Sequence, residues 1–322
     1  MTATPTETLV TVFGGSGFLG RHVVRALAKR GYRIRVAVRR PDLAVHLQPA
    51  GRVGQIHAVQ ANLRHPGSVD AAVRDADAVV NLVGILFERG RQRFDTVQAF
   101  GAEACALSAA AHGARLVHVS AIGADEQSSS AYARSKAMGE KLVHAAVPGA
   151  TILRPSIVFG PEDAFFNRFA AIARLAPTLP LIGGGRTRLQ PVFAGDVAAA
   201  VVAALEGRAT AGATYELGGP AVRTFKELMQ FLLNTIERRR LLLPIPFELA
   251  KVPAFFLQFL PSPLLTPDQV ELLRYDNVVS DQAKQERRTL EGLGITPTLM
   301  EAVVPAYLQR FRKTGQFRVR SI

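Results

Sequence analysis

Two groups of residues in this chain have the types and spacing for chemistry. Tyr132 and Lys136 stand four apart in the string YARSK, which on a helix puts both side chains on one face, pointing the same way. An ammonium beside a phenol favours the phenolate and suits proton transfer, and the same lysine can hydrogen-bond a ribose. Ser120 closes the apolar run LVHVS ahead of them and is a further candidate hydroxyl. The second group lies in residues 10–20, VTVFGGSGFLG. There Gly14 permits a tight turn, Gly17 lets the backbone approach a pyrophosphate, and Gly20 lets the following helix pack on the preceding strand. Ser16, Phe18 and Leu19 fill out this loop, whose helix start turns free N–H groups and a positive dipole end toward phosphate.

A third signal separates two dinucleotides. The run RIRVAV leads into Arg39 and Arg40, with no carboxylate before Asp42. An acidic residue at this point would hold the ribose 2′-hydroxyl of NAD(H), whereas a guanidinium matches the 2′-phosphate of NADP(H). NADP(H) is therefore favoured, NAD(H) stays open, and the plainer reading is two solvated cations at a strand exit.

These residues need a frame. Short, continuous, valine- and leucine-rich strands fit 9–13, 33–38, 56–60, 78–82 and 115–120, and helices fit 18–30, 69–74, 94–111 and 132–146. Strands without polar alternation are covered on both faces, so the alternation predicts an α/β doubly wound parallel sheet. Residues 151–154 and 214–217 read as later strands. The expected division is a dinucleotide-binding domain over 1–160, completed by strands near 187–218. A smaller substrate or docking lobe takes 161–186 and 219–322.

Composition narrows the rest. The 322 residues are 48% hydrophobic with a net charge of +13, one cysteine (Cys105) and no tryptophan. A single cysteine rules out an internal disulfide and fits a reducing compartment. The first residues lack a basic and apolar leader pattern, which predicts a cytoplasmic chain. The basic residues are not organised around stacking aromatics, so no nucleic-acid partner is expected, and the seven histidines show no metal-ligand spacing. Residues 241–265 form an apolar run broken by five prolines, directly after Arg238, Arg239 and Arg240. Such a run suits shallow contact with an anionic membrane surface, docking on a membrane subunit, or simply the core of the small lobe. The stretch 310–320, RFRKTGQFRVR, reads as a solvated basic extension or an arm on an acidic partner.

GGSGFLG, the turn at Asn81 to Gly84, YARSK and RPSIVFGP resemble the extended or atypical short-chain dehydrogenase/reductase superfamily. VVNLVGILFE, LPLIGGGRTRLQPVFAGDVA, YELGGP and PLLTPDQVELL are similar to the NAD(P)H-binding accessory subunits of respiratory complex I and their bacterial relatives. The likeness covers nearly the whole chain. It implies bound NADPH, with Gly14, Gly17 and Gly20 at the pyrophosphate and Arg39 and Arg40 at the adenosine phosphate. Asn62 and Leu63 would lie near adenine, Val83 and Gly84 along the cofactor, and Tyr132 and Lys136 at the nicotinamide ribose. Pro155, Ile157 and Val158 would stand beside the nicotinamide. It further implies a largely structural subunit at complex I, beside the quinone region and peripheral to the inner membrane. Two departures stand out. Ser120 is followed by Ala121 and Ile122, where active superfamily members carry Ser or Thr at or just after the strand end. Asn62 replaces the usual Asp, and an amide can both donate to and accept from adenine. The alternatives are an NADP-dependent reductase of a carbonyl or quinone-like substrate using Ser120, Tyr132 and Lys136, and, less favoured, a nucleotide-sugar epimerase or dehydratase.

Overall fold

The computed structural model describes residues 5–260 and 263–313; the end of the basic stretch 310–320 lies outside them. The chain divides into two compact units. The first comprises Met1–Pro155, Ala194–Leu217 and Ser280–Thr296. Its strands β1 (Leu9–Phe13), β2 (Arg33–Val38), β3 (Ile56–Gln60), β4 (Ala78–Asn81), β5 (Arg115–Val119) and β6 (Thr151–Pro155) are joined by Thr214–Leu217. All seven run parallel in one sheet, in the order Thr214–Leu217, β6, β5, β4, β1, β2, β3. The doubly wound parallel sheet read from the sequence is thus the observed fold. Every residue of β4 and all but one of β1 are buried, which is why these strands are mostly apolar without polar alternation. The order reverses between β1 and β4, and in open α/β sheets that crevice is where ligands bind.

The helices are α1 (Phe18–Lys29), α2 (Pro66–Val73), α3 (Phe100–Ala111) and α4 (Ala131–Ala146). α1 packs along Ala194–Leu205, while α3 presents alanines and the fully buried Cys105 to a core with Val69, Val79 and Leu116. The segment read as one helix over 94–111 opens instead with a π-helical turn, Asp95–Ala99. α3 and α4 meet at Gly139, where a Cβ would stand 2.3 Å from the Gln98 carbonyl oxygen. A bidentate pair of Arg154 with Glu140 (2.9 and 2.5 Å) fastens α4 to β6.

Three boundaries differ from the sequence reading. The first unit ends at Pro155 rather than 160. Of the strands near 187–218, only Thr214–Leu217 enters the large sheet; Arg188–Leu189 pairs with Arg223–Thr224, and Val192–Phe193 with Val158–Phe159. Residues 280–296 belong with the sheet rather than the lobe. The Glu216 N–H donates to the Arg288 carbonyl (3.0 Å), Ser280 N–H to the Glu216 carboxylate (2.7 Å) and Arg208 to the Leu293 carbonyl (2.9 Å).

The second unit comprises Ser156–Phe193, Gly218–Val279 and Pro297–Ile322. Its core gathers Phe159, Phe166 and Phe225 around Leu228, Met229 and Val304, with edge-to-face rings such as Phe165 on Phe166 at 5.1 Å. Leu241–Ile245 pairs in parallel with Thr178–Ile182. The helix Phe247–Leu257 buries only Ala250 and Ala254. The run 241–265 is therefore partly core and partly surface. Among the described residues no helix is long and apolar enough to cross a membrane.

Replacing a helix-interior glycine by alanine ordinarily stabilises by about 1 kcal/mol. At Gly139 the added methyl meets backbone, so Gly139→Ala is expected to destabilise by about 2–3 kcal/mol. Gly67→Ala in α2, whose Cβ would meet nothing within 4 Å, should be neutral or stabilising. Denaturant unfolding of the two variants checks the contrast.

Candidate nucleotide-binding site

The glycine turn is assembled from backbone. β1 ends at Phe13, and Gly14 takes φ +77°, a conformation that excludes most side chains. Its N–H donates to the Ala37 carbonyl (3.2 Å) and its own carbonyl accepts from Gly17 N–H (3.0 Å). α1 starts at once, and a Cβ on Gly20 would lie 2.3 Å from the Gly14 oxygen. Gly17 is different. Its backbone is extended (φ −72°, ψ 178°), and a Cβ there would meet only the Gly14 oxygen at 3.3 Å. Any residue adopts this backbone conformation, and the one close contact at this exposed position is milder than the 2.3 Å contact at Gly20. No side chain caps the N-terminus of α1, so an anion can reach its first N–H groups. Ser16, Phe18 and Leu19 flank the turn, half-buried.

At the end of β2, Arg39 and Arg40 are both exposed. Their roles divide, because Asp42 takes the Arg40 guanidinium in two hydrogen bonds (2.9 and 2.7 Å). That contact holds the Asp42 carboxyl below the usual carboxylate range. Among the described residues Arg39 has no such engagement. Asn62 Oδ1 accepts from Arg64 N–H (3.2 Å), a local turn, and Leu63 is buried beneath Gly101, whose Cβ would stand 3.1 Å from it.

A chain of close contacts joins the glycine turn to the polar residues. A Cβ on Gly14 would lie 3.2 Å from Val83, and one on Gly84 would lie 3.3 Å from Lys136 Nζ and 3.5 Å from Gln98 Oε1. The Val83 N–H donates to Asn81 Oδ1 (3.0 Å), and Asn81 Nδ2 donates to His118 Nδ1 (3.3 Å). The His118 ring proton then sits on Nε2, which has no partner among the described residues. Ser120 Oγ and Gln98 Oε1, equally buried, have none either. Gln98 Nε2 donates to Ser135 Oγ (3.1 Å), and Ser135 Oγ to the Tyr132 carbonyl (2.8 Å). Lys136 is 4% exposed, and its Nζ donates to the Val119 carbonyl at 3.3 Å.

Electrostatics follow from this burial. Desolvation pulls Lys136 down to about 8, against the opposing pull of Glu140. Desolvation, with the nearby Lys136 and His144 charges, lowers His118 to about 3, so its imidazole is neutral at ordinary pH. Tyr132 shares the α4 face with Lys136 and sets its ring edge-to-face on Phe94 (5.8 Å), and Ser130 caps the helix by accepting from Ala133 N–H (3.2 Å). After Ser120 the chain turns away: the Ile122 N–H donates to the Pro155 carbonyl (3.0 Å) and the Ile122 side chain is buried.

The structure thus brings Gly14, Gly17, Gly20, Val83, Gly84, Ser120, Tyr132 and Lys136 together along the carboxyl edge of the sheet, where Pro155 also ends β6. Ile157 and Val158 belong to the second unit, where Ile157 packs on its aromatic core. Gln98 and His118 were missed in the sequence. Their signal was present as a lone amide in an alanine-rich helix and a lone imidazole in an apolar strand. Among the described residues no three His, Cys, Asp or Glu side chains converge on a metal position. The arrangement offers an uncapped helix start for an anion, then a buried ammonium, hydroxyl and amide oxygen for groups that both donate and accept.

Known proteins bear the same pattern. Residues 10–218 match the NAD dependent epimerase/dehydratase family. NADH dehydrogenase (ubiquinone) 1 alpha subcomplex subunit 9 from Arabidopsis thaliana mitochondria is 37% identical over 95% of this chain and 79% of its own length. A ceramide reductase of Caulobacter vibrioides is 38% identical over 62% of each chain. In structure, the dTDP-glucose 4,6-dehydratase DesIV of Streptomyces venezuelae, solved with NAD, superimposes with a TM-score of 0.71, covering 94% of this chain and 96% of that one at 21% identity. The chain belongs to the NAD dependent epimerase/dehydratase family, with the extended short-chain dehydrogenase/reductase fold, and has the mitochondrial alpha subcomplex subunit 9 proteins among its relatives.

Proposed function

We propose that this chain holds NADP(H) along the carboxyl edge of its sheet and serves as a largely structural accessory subunit of, or assembly partner for, respiratory NADH:quinone oxidoreductase. In this reading it sits on the cytoplasmic side, peripheral to the inner membrane and near the quinone site. The observation that carries the nucleotide assignment is Gly17: a bare, exposed glycine in a backbone conformation open to any residue, set at an uncapped helix N-terminus. A diphosphate fits there. The buried atoms fit the sugar beyond it, since Lys136 Nζ and Ser120 Oγ can donate to ribose oxygens and Gln98 Oε1 can accept from a ribose hydroxyl. Arg39 in this reading takes the adenosine phosphate, with Arg40 joining when it exchanges Asp42, a surface pair that solvent screens. Asn62, with its oxygen committed to the local turn, offers its amide N–H groups to adenine. The respiratory assignment rests on the relatives, which are mitochondrial NADH dehydrogenase subunits.

A nicotinamide, when bound, supplies hydride transfer. What this chain adds for turnover is limited. Tyr132 and Lys136 share the α4 face, but beyond Ser120 the strand exit carries Ala121 and the buried Ile122, neither with a hydroxyl to orient a carbonyl. Retention of Tyr132 with a partnerless Ser120 Oγ favours a second reading, an NADP-dependent reductase, and the ceramide reductase relative supports it. In that case Tyr132 delivers the proton and Tyr132→Phe abolishes turnover. On the structural reading, co-purified NADPH is not oxidised by quinones or carbonyl compounds, and the variant keeps its nucleotide.

Binding calorimetry separates the contributions. Gly17→Ala should lower the melting temperature only slightly, the Gly14 oxygen giving by a few tenths of an ångström, and weaken NADPH binding by roughly tenfold or more, because the methyl occupies the phosphate approach. Arg39→Ala should weaken NADPH by roughly tenfold while leaving NADH nearly unaffected, the difference being a charge-assisted bond to the 2′-phosphate.

Lys136 sets the pH response. A ribose oxygen accepting from its ammonium favours the protonated form, so the lysine bound to nucleotide must titrate above about 8, its position in the free chain. Affinity should therefore be greatest below pH 8 and fall as pH rises through it, with net proton uptake on binding near pH 8. Lys136→Met should show neither effect. Calorimetry in buffers of differing ionisation enthalpy measures the proton directly.

A further inference from the structure

Lys136 is buried against a carbonyl rather than a carboxylate, its Nζ donating to Val119 at 3.3 Å. One turn further along α4, on the same face, stands Glu140, which is buried as well. Arg154 of β6 takes the Glu140 carboxylate in two hydrogen bonds, at 2.9 and 2.5 Å. Glu216, opposite Arg154 in the neighbouring strand, adds a second negative charge beyond the guanidinium. Other titratable groups surround this line. β5 contributes the neutral His118, and α4 itself carries Tyr132 and His144. The π-helical turn and α3, which pack on α4, bring the uncharged Gln98 and Cys105, with Asp95 exposed and Glu103 half-buried. The ion pair borders a cavity of about 470 Å³ lined also by Asp125, Glu126, Lys141 and His144. There Lys141 and Glu126 satisfy each other at 3.2 Å.

We propose that Glu140, steadied by Arg154, is a positioning residue that keeps Lys136 in its ammonium form. The physical reason is poor screening. Water and salt damp the field of a surface carboxylate, whereas charges taken out of water act on one another through a medium of low dielectric. A negative charge one turn from an ammonium favours the protonated lysine, and a positive charge beyond it disfavours that form. At Lys136 the Glu140 carboxylate supplies the pull that opposes desolvation. Arg154 acts in two ways. Its bidentate grip holds the carboxylate ionised and in place, and its own charge cancels part of that carboxylate's field. Lys136 therefore responds to the difference between a nearer anion and a cation that reaches it through that anion. The consequence for nucleotide binding rests on the site as proposed above, in which a ribose oxygen accepts from this ammonium. The protonation of Lys136 is itself a property of the free chain and is measured without ligand.

The test is a nuclear magnetic resonance titration of the full-length protein, without nucleotide, with its lysines isotopically labelled at Cε. The chain has seven lysines, and Lys136→Met identifies the signal of Lys136. In the parent that signal should titrate near pH 8. Glu140→Gln should move its midpoint down by about one pH unit, and Arg154→Gln should move it up. Both variants should melt earlier, because each leaves a buried partner unpaired. Glu140→Asp should also melt earlier yet keep its midpoint near the parent's, since the charge stays. A pair that only fastened α4 to β6 would leave the midpoint unmoved in the two neutralising variants, or move it the same way in both, and either result overturns the proposal. If Glu140→Gln fails to fold, Arg154→Gln decides, and a midpoint at or below the parent's overturns it. Calorimetry with NADPH across pH on the same variants separates this role from the nucleotide assignment, because the break in affinity should follow the lysine midpoint. A lysine that shifts as expected while the NADPH profile stays parental upholds the role of Glu140 and removes the ribose contact from Lys136.

Discussion

The carbonyl oxygen of Gly14 is the point on which the first unit turns. It accepts the Gly17 N–H and lies where a Cβ on Gly20 would collide with it, so the reversal after β1 and the packing of α1 are fixed by one atom. Because β1 sits between β2 and β4, this reversal also throws the helix start over the place where the sheet order changes direction. At the far end of α1, Arg30 reaches Glu206 at 3.4 Å, beyond the helix Ala194–Leu205 that α1 packs against. The helix is thereby held at both ends with its N-terminus left open to solvent.

The polar cluster at the end of β5 shows the opposite economy. A buried hydroxyl, amide oxygen or imidazole N–H without a partner costs about 1–3 kcal/mol, and Ser120, Gln98 and His118 each carry one. The desolvated Lys136 adds to the burden. The surrounding alanine and valine core sustains this arrangement, and a ligand that satisfies these atoms stabilises the native state by mass action. Gln98 reaches the cluster through the π-helical turn, a feature that often marks functional positions within helices. Gly139 allows α4 to come close enough for Ser135 and Lys136 to meet it.

Much of this frame was legible in the residues, because parallel strands buried on both faces leave a local signature. β1, β2 and β3 were read to the residue, and β4 and β5 one residue too long. The glycine turn and the α4 pair Tyr132 and Lys136 were legible for the same reason, since their spacing lies within one element. What escaped depends on contacts distant in sequence. Residues 280–296 return to the sheet through backbone and carboxylate hydrogen bonds to Glu216, which no hydrophobic period records. Strands of two residues at Arg188–Leu189 and Val192–Phe193 are too short to announce their partners. The engagement of Arg40 by Asp42 and the burial of Gln98 arise only once the neighbouring backbone is placed. In the run 241–265, composition alone could not tell which apolar residues face inward; the structure sends Ala250 and Ala254 in and Phe255, Phe256 and Phe259 out, while Phe247 packs on the core.

The seat of Cys105 has a practical consequence. Its sulfur is fully buried in α3, and burial pushes the thiol far from ionisation, so electrophilic dyes find no reactive thiolate in the folded chain. For labelling purposes the native protein behaves as if it lacked cysteine altogether. A single cysteine engineered at any surface position becomes a unique attachment point for a fluorophore or spin label, with no background substitution to make first.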